Sequence, residues 1–183
     1  MLPCVILCGG KSERMQSPKE SLNILNKTFA QYQFLRCKEI FSDVFFSAKK
    51  QIESFSTIIE KDAIYAPLFG LQNALETLKK DCFVLSIDTP LFDKGCIYEI
   101  YESYLKNTIS TFAKNSKIHP LLGIYSLEAL PFIKEQIANK DYKLMNLLKK
   151  IDSQFVEIRE EKTQNLNTPQ DYQNFLQRYV NGR

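Results

Sequence analysis

The residues of this chain best suited to chemistry are two adjacent glycines, Gly9-Gly10, trailed at short intervals by Lys11, Arg14 and Lys19. Paired glycines permit φ > 0 and bring backbone close to a ligand with no Cβ in the way. Backbone N–H groups and spaced cations then make a cradle for phosphate. A second candidate is Asp88, in the run Ser86-Ile87-Asp88-Thr89-Pro90. A carboxylate beside phosphates suits Mg²⁺, which takes one or two carboxylates together with phosphate oxygens and water. Pro90 biases Thr89 away from helix, so Asp88 is expected in a shaped loop.

Two familiar phosphate loops do not fit. A Walker A motif needs a glycine at the position held by Val5. The dinucleotide fingerprint needs separated glycines, and Glu13 occupies the place of its third. What is left is L-x-G-G-x-x-x-R-M-x-x-x-K, running from Leu7 to Lys19.

Such groups need rigid elements behind them. Val5, Ile6 and Leu7 form an apolar run after Pro3, which predicts a buried strand. Residues 82–85 form another and deliver Asp88 to its carboxyl end, the edge at which open α/β sheets bind ligands. Further strands are expected at 44–46, 57–59, 109–113, 121–125 and 155–158, and a short extended segment at 22–25. Helical spacing marks Ala30 to Phe41, Leu71 to Leu78, Ile97 to Leu105, Leu130 to Ile137 and Leu144 to Leu148. Residues 49–55 are read as a weak helix, and Lys49-Lys50, Lys79-Lys80 and Lys149-Lys150 as solvated helix-edge cations. The last helix has the clearest start, with Thr168 as N-cap, Pro169 at the first helical position and Asp171 at N3. Tyr172, Phe175, Leu176 and Tyr179 are its apolar stripe. Strands alternating with helices predict the α/β class with a largely parallel sheet, and antiparallel pairing near Pro120. Without a repeat or a linker, residues 1–183 are expected to form a single domain.

The chain has 183 residues, 44% hydrophobic and 25% charged, ordinary values for a globular core. A net charge of +3 with both signs interspersed argues against a nucleic-acid face. No stretch reaches the ~18 apolar residues of a membrane span. The chain enters its first strand at once, so no signal peptide is expected and the expected location is cytoplasmic. Cys4, Cys8, Cys37, Cys82 and Cys96 are odd in number with no C-x-x-C, which fits buried thiols, with a redox pair of Cys4 and Cys8 on one strand face as the alternative.

The segment from Leu7 to Lys19 resembles the loop of nucleotidyltransferases that activate a phosphorylated acceptor with an NTP, among them the molybdenum cofactor guanylyltransferases. Further segments extend the likeness over most of the chain. Pro67-Leu68-Phe69-Gly70-Leu71 is similar to the family's P-L-x-G, and Asp88-Thr89-Pro90 to its metal-binding D-x-P. His119-Pro120 is similar to a pair before a late strand, and Asn167-Thr168-Pro169 to an N-T-P before the last helix.

The resemblance implies a Rossmann-like nucleotidyltransferase fold, three-layer α/β/α with a mostly parallel mixed sheet. It implies GTP as substrate, Mg²⁺ as cofactor, and transfer of GMP to molybdopterin with release of pyrophosphate. Leu7, Cys8, Gly9, Gly10 and Lys11 would contact the nucleotide, and Asp88 would bind both metal and nucleotide. Lys19 would neutralise phosphate charge, and Arg14 suits a bidentate phosphate contact. Ser47 ends the second strand where the family commonly has Asn. Asp62, with Lys61 as its rival in register, matches an Asp near the end of the third strand. Tyr142-Lys143 stands where an Arg-Arg pair is expected. Contact with other molybdenum-cofactor proteins is implied too, by no residue of this chain. Open alternatives are CTP for GTP, a sugar or isoprenoid phosphate as acceptor, and a nucleotide-binding module without catalysis. His119, the only histidine, suits equally an acceptor phosphate or a backbone carbonyl.

Overall fold

A computed structural model describes residues 1–8, 21–24 and 26–177. In chain order the elements are β1 (Cys4–Leu7), β2 (Asn23–Ile24), β3 (Lys27–Thr28), α1 (Phe29–Lys38), β4 (Val44–Ala48), β5 (Thr57–Ile59), α2 (Pro67–Leu78) and β6 (Cys82–Ser86). There follow α3 (Lys94–Asn107), β7 (Ser110–Lys114), β8 (Ile118–Tyr125), α4 (Leu130–Ala138), α5 (Leu144–Leu147), β9 (Ser153–Glu157) and α6 (Pro169–Phe175).

Side-chain alternation in the central strands builds two cores. Cys4 and Ile6 of β1 face one layer, Val5 and Leu7 the other. In β6, Phe83 and Leu85 join the first, Cys82 and Val84 the second. A strand apolar on both faces demands cover on both. Helices α1, α3 and α6 supply it on one side, α2, α4 and α5 on the other. The result is the expected three-layer α/β/α arrangement.

The sheet has seven strands in the order β5-β4-β1-β6-β8-β7-β9. Parallel pairs join β5 to β4, β4 to β1, β1 to β6 and β7 to β9. Only β8 runs against its neighbours β6 and β7, the antiparallel pairing expected near Pro120. It starts at Ile118, earlier than expected, and includes His119 and Pro120. Proline fits there because the register with β7 shifts between Phe112 and Ala113. Gly123 permits the close approach: a Cβ on it would lie 2.2 Å from the Thr111 carbonyl oxygen.

Local signals set several boundaries. Thr28 and Gln31 form a capping box at α1; at α6 Thr168 is the N-cap as expected, and with Asp171 it also forms a capping box. Tyr172 and Phe175 of the α6 stripe are buried, whereas Tyr179 lies outside the described residues. Cys4, Cys37, Cys82 and Cys96 are buried as expected, and Cys8 is half-buried. Residues 49–55 correct the sequence reading, forming an irregular connection with Glu53 at φ 43° instead of a helix. The Gln51 amide donates to the carbonyls of Glu53 (3.2 Å) and Phe55 (2.6 Å), competing with helical bonding. Among the described residues no helix is long and apolar enough to cross a membrane.

Candidate functional site

Because β5, β4, β1 and β6 are mutually parallel, their carboxyl ends share one edge. Leu7 pairs with Ser47 on one side and Ser86 on the other. Just past the strands, the Cys8 N–H donates to the Ser47 carbonyl (2.9 Å) and the Ile87 N–H to the Leu7 carbonyl (3.1 Å). Leu7, Cys8, Ser47 and the loop carrying Asp88 are thus gathered on three adjacent strand ends. Gly9, Gly10, Lys11, Arg14 and Lys19 lie outside the described residues.

Asp88 sits in a loop gripped from two sides. On the α1 side, the Gln33 amide donates to the Ile87 carbonyl (2.7 Å), and the Arg36 guanidinium donates to the Pro90 carbonyl. From the segment before α6, the Leu166 N–H donates to the Asp88 carbonyl (2.8 Å). The Thr89 hydroxyl closes the turn onto the Ser86 carbonyl (2.8 Å). On the carboxylate itself, Oδ1 accepts from the Ser86 hydroxyl (2.6 Å) and the Asn165 amide (3.3 Å). Gln33, Arg36 and Asn165 were not marked by sequence reasoning, since a polar residue on a helix or loop carries no sign of a distant partner.

The donor set around Asp88 is hard oxygen, which fits Mg²⁺. Among the described residues no three His, Cys, Asp or Glu side chains gather to cage an ion. A cation here would therefore be held by Asp88 with phosphate oxygens and water, the usual pattern for Mg²⁺.

Beside this loop opens a cavity of about 700 Å³, lined among others by Ser86, Thr89, Lys117, His119, Asn165 and Asn167. The bonding around His119 fixes its tautomer. The Thr163 hydroxyl donates to the Glu160 carbonyl, so its oxygen accepts from the Asn115 amide nitrogen (2.8 Å). Asn115 Oδ1 is then the acceptor facing His119 Nε2 at 3.0 Å, and Nε2 carries the proton. Burial, then the charge of Lys117, hold the His119 pKa below its ordinary 6.5. The lowered pKa favours the neutral imidazole, and among the described lining residues Lys117 is the standing cation.

At the other end of the edge lies a closed polar cluster. The Ser47 hydroxyl donates to Glu60 Oε1 (2.8 Å), and the Lys49 ammonium pairs with Glu60 Oε2 (3.1 Å). Lys49 also donates to the Asp62 carbonyl (2.5 Å) and lies 5.5 Å from the Tyr65 ring centroid. Its side chain is 19% exposed and that of Glu60 only 3%, so Lys49 is no solvated helix-edge cation. Asp62 is half-buried and Lys61 exposed, and it is Glu60 that faces Ser47. The signal for Glu60 was present: period two from buried Ile58 past exposed Ile59 turns it inward. Gly70 packs onto this cluster, where a Cβ would meet Glu60 Oε1 at 2.9 Å and Leu7 Cδ2 and Ser47 Oγ at 3.0 Å. Tyr142 packs on Phe69, ring centroids 5.3 Å apart.

Comparison with known proteins gives a consistent family. The family model described as MobA-like NTP transferase domain matches residues 4–155. The molybdenum cofactor guanylyltransferase of Campylobacter jejuni (strain 81116) is 32% identical over 181 residues, covering 95% of each chain. That of Helicobacter pylori (strain 26695) is 32% identical over 195 residues, covering 99% of this chain and 96% of its own. The crystal structure of molybdopterin-guanine dinucleotide biosynthesis protein A from Archaeoglobus fulgidus shares the fold. Its TM-score is 0.81 at 18% identity, covering 94% of this chain and 96% of its own.

Proposed function

The chain belongs to the MobA-like NTP transferase family, and on that premise we propose that it transfers GMP from GTP to the phosphate of molybdopterin. It is a nucleotidyltransferase. The observation that carries the reading is Asp88, delivered beside Leu7 and Cys8 and flanked by a cavity large enough for an acceptor.

An oxygen of the acceptor's terminal phosphate attacks the α-phosphorus of GTP in line. The new P–O bond forms as the bond to the bridging oxygen breaks, and pyrophosphate leaves with that electron pair. The attacking phosphate is already ionised, so no catalytic base is required. Catalysis rests on positioning and charge neutralisation. Asp88 is the residue that would hold Mg²⁺, which as a Lewis acid would stabilise charge developing on the phosphates. Leu7, Cys8, Gly9 and Gly10 offer backbone to the nucleotide, while Lys11, Arg14 and Lys19 hold the triphosphate and the departing pyrophosphate. Ser47 and Asp62 lie toward the base. Lys117, Asn165 and Asn167 line the acceptor side. We place its action in the cytoplasm.

The test is incubation of the purified chain with Mg²⁺ and each of the four NTPs, with and without molybdopterin, reading pyrophosphate and the dinucleotide product. Pyrophosphate release that requires both GTP and molybdopterin is expected. Turnover with CTP, or only with a sugar or isoprenoid phosphate, would replace the substrate assignment. Saturable GTP binding without turnover on any acceptor would overturn the enzymatic one.

A further inference from the structure

We infer that Glu60 is a positioning residue for the nucleotide, setting through Ser47 and Lys49 how tightly and how selectively the NTP is held. The inference rests on the nucleotide site proposed above. Glu60 follows β5 directly, and its N–H donates to the Ala48 carbonyl (2.8 Å), so it stands beside the end of β4. Ser47 is the shared link. Its hydroxyl is bound by Glu60, and its carbonyl takes the N–H of Cys8, the residue that leads into Gly9-Gly10.

A second arm runs through Lys49. The ammonium bound to Glu60 Oε2 also holds the Asp62 carbonyl, and it lies 5.5 Å from the Tyr65 ring centroid and 5.9 Å from that of Phe69. One carboxylate thus ties the strand end before the glycine loop to the connection 60–66 that carries Asp62. Gly70, in the first turns of α2, lets the helix close over the same carboxylate, as any Cβ would strike it. Buried ion pairs of this kind commonly contribute less stability than apolar packing of the same volume. Their use at this edge is in fixing geometry.

The experiment compares Glu60→Gln, Lys49→Met and the double variant by thermal melting, by GTP kinetics and by titration with a fluorescent GTP analogue. Glutamine can still accept the Ser47 hydroxyl but cannot pair with the Lys49 charge. Glu60→Gln is expected to raise KM for GTP about tenfold, and to lower the preference for GTP over ATP, CTP and UTP comparably, with kcat within about twofold. Lys49→Met strands the buried carboxylate and lowers Tm. The double variant is expected to regain Tm while KM stays high. Unchanged KM and preference in Glu60→Gln, or a KM defect that disappears as Tm recovers, would overturn the inference. If the unaltered chain turned over no NTP, the proposed function would fail, and the titration would still decide the role of Glu60.

Discussion

Two polar clusters share one sheet edge and are built in opposite ways. Glu60 finds its partner Ser47 only 13 positions away, and its side chain is 3% exposed. Asp88 takes the Ser86 hydroxyl from two positions away but is also bound by Asn165 from 77, its loop is held by Gln33 from 54, and its neighbours Ser86 and Thr89 line a cavity. The local cluster is closed around its carboxylate. The other is also buried, Asp88 at 9% exposure against 6% for Glu60 over the whole residue, but its loop borders the cavity and is held through its backbone carbonyls as well as through the carboxylate. A loop proposed to meet substrates gains from long-range bonds that hold it rigid beside open space. A group that only sets geometry is best sealed, where a low dielectric strengthens its bonds.

The largest effect expected from testing this contrast is at Asp88. Asp88→Asn keeps an Oδ1 to accept from Ser86 and Asn165, so the fold should hold. Loss of the charge should cut turnover on the order of a thousandfold or more, as removal of metal-centred stabilisation implies. Near-normal pyrophosphate release with unchanged Tm would break the assignment. Gly70→Ala tests the closed cluster. A methyl forced between Glu60, Leu7 and Ser47 should cost roughly 1–3 kcal/mol, read as a lower urea midpoint. Stability unchanged would mean the cluster is loose. Thr168→Ala removes the capping oxygen of α6, next to the segment that lines the cavity. It should cost about 1 kcal/mol and raise KM for the acceptor more than for GTP.

The smallest effect concerns pH. The folded chain holds His119 below 6.5, so as pH falls the unfolded chain takes up this proton first. The His119 contribution is fully present above 6.5 and is lost as pH drops from 6.5 through the lower folded value. Urea titrations from about pH 7.5 to 5 should show this decline, and His119→Gln should flatten it.

Much of this was legible in the chain itself. The apolar runs of β1 and β6 announce buried strands, and Cys8 and Asp88-Thr89-Pro90, which follow them, come out at one edge of the sheet. Thr168-Pro169 with Asp171 spells a helix start within a few residues. What stayed hidden depends on partners across space. Lys49 looks like any surface lysine until β5 lies alongside β4 and brings Glu60 to it. Gln33 and Arg36 lie on an ordinary helix and gain meaning only where α1 passes the loop 87–90. Residues 49–55, weakly patterned, read as a helix from sequence alone, but the Gln51 side chain takes the Glu53 and Phe55 carbonyls instead of leaving them to helical bonding.

The reversed strand β8 has one more consequence. Running against β6, it places its first residues, His119 among them, at the edge where β6, β1 and β4 place their last. Each side of the cleft therefore draws on a different direction of travel along the chain. Under the proposed function, changes near the start of β8 would alter the acceptor side while leaving the ends of β1 and β6 in place, so the two specificities could diverge separately.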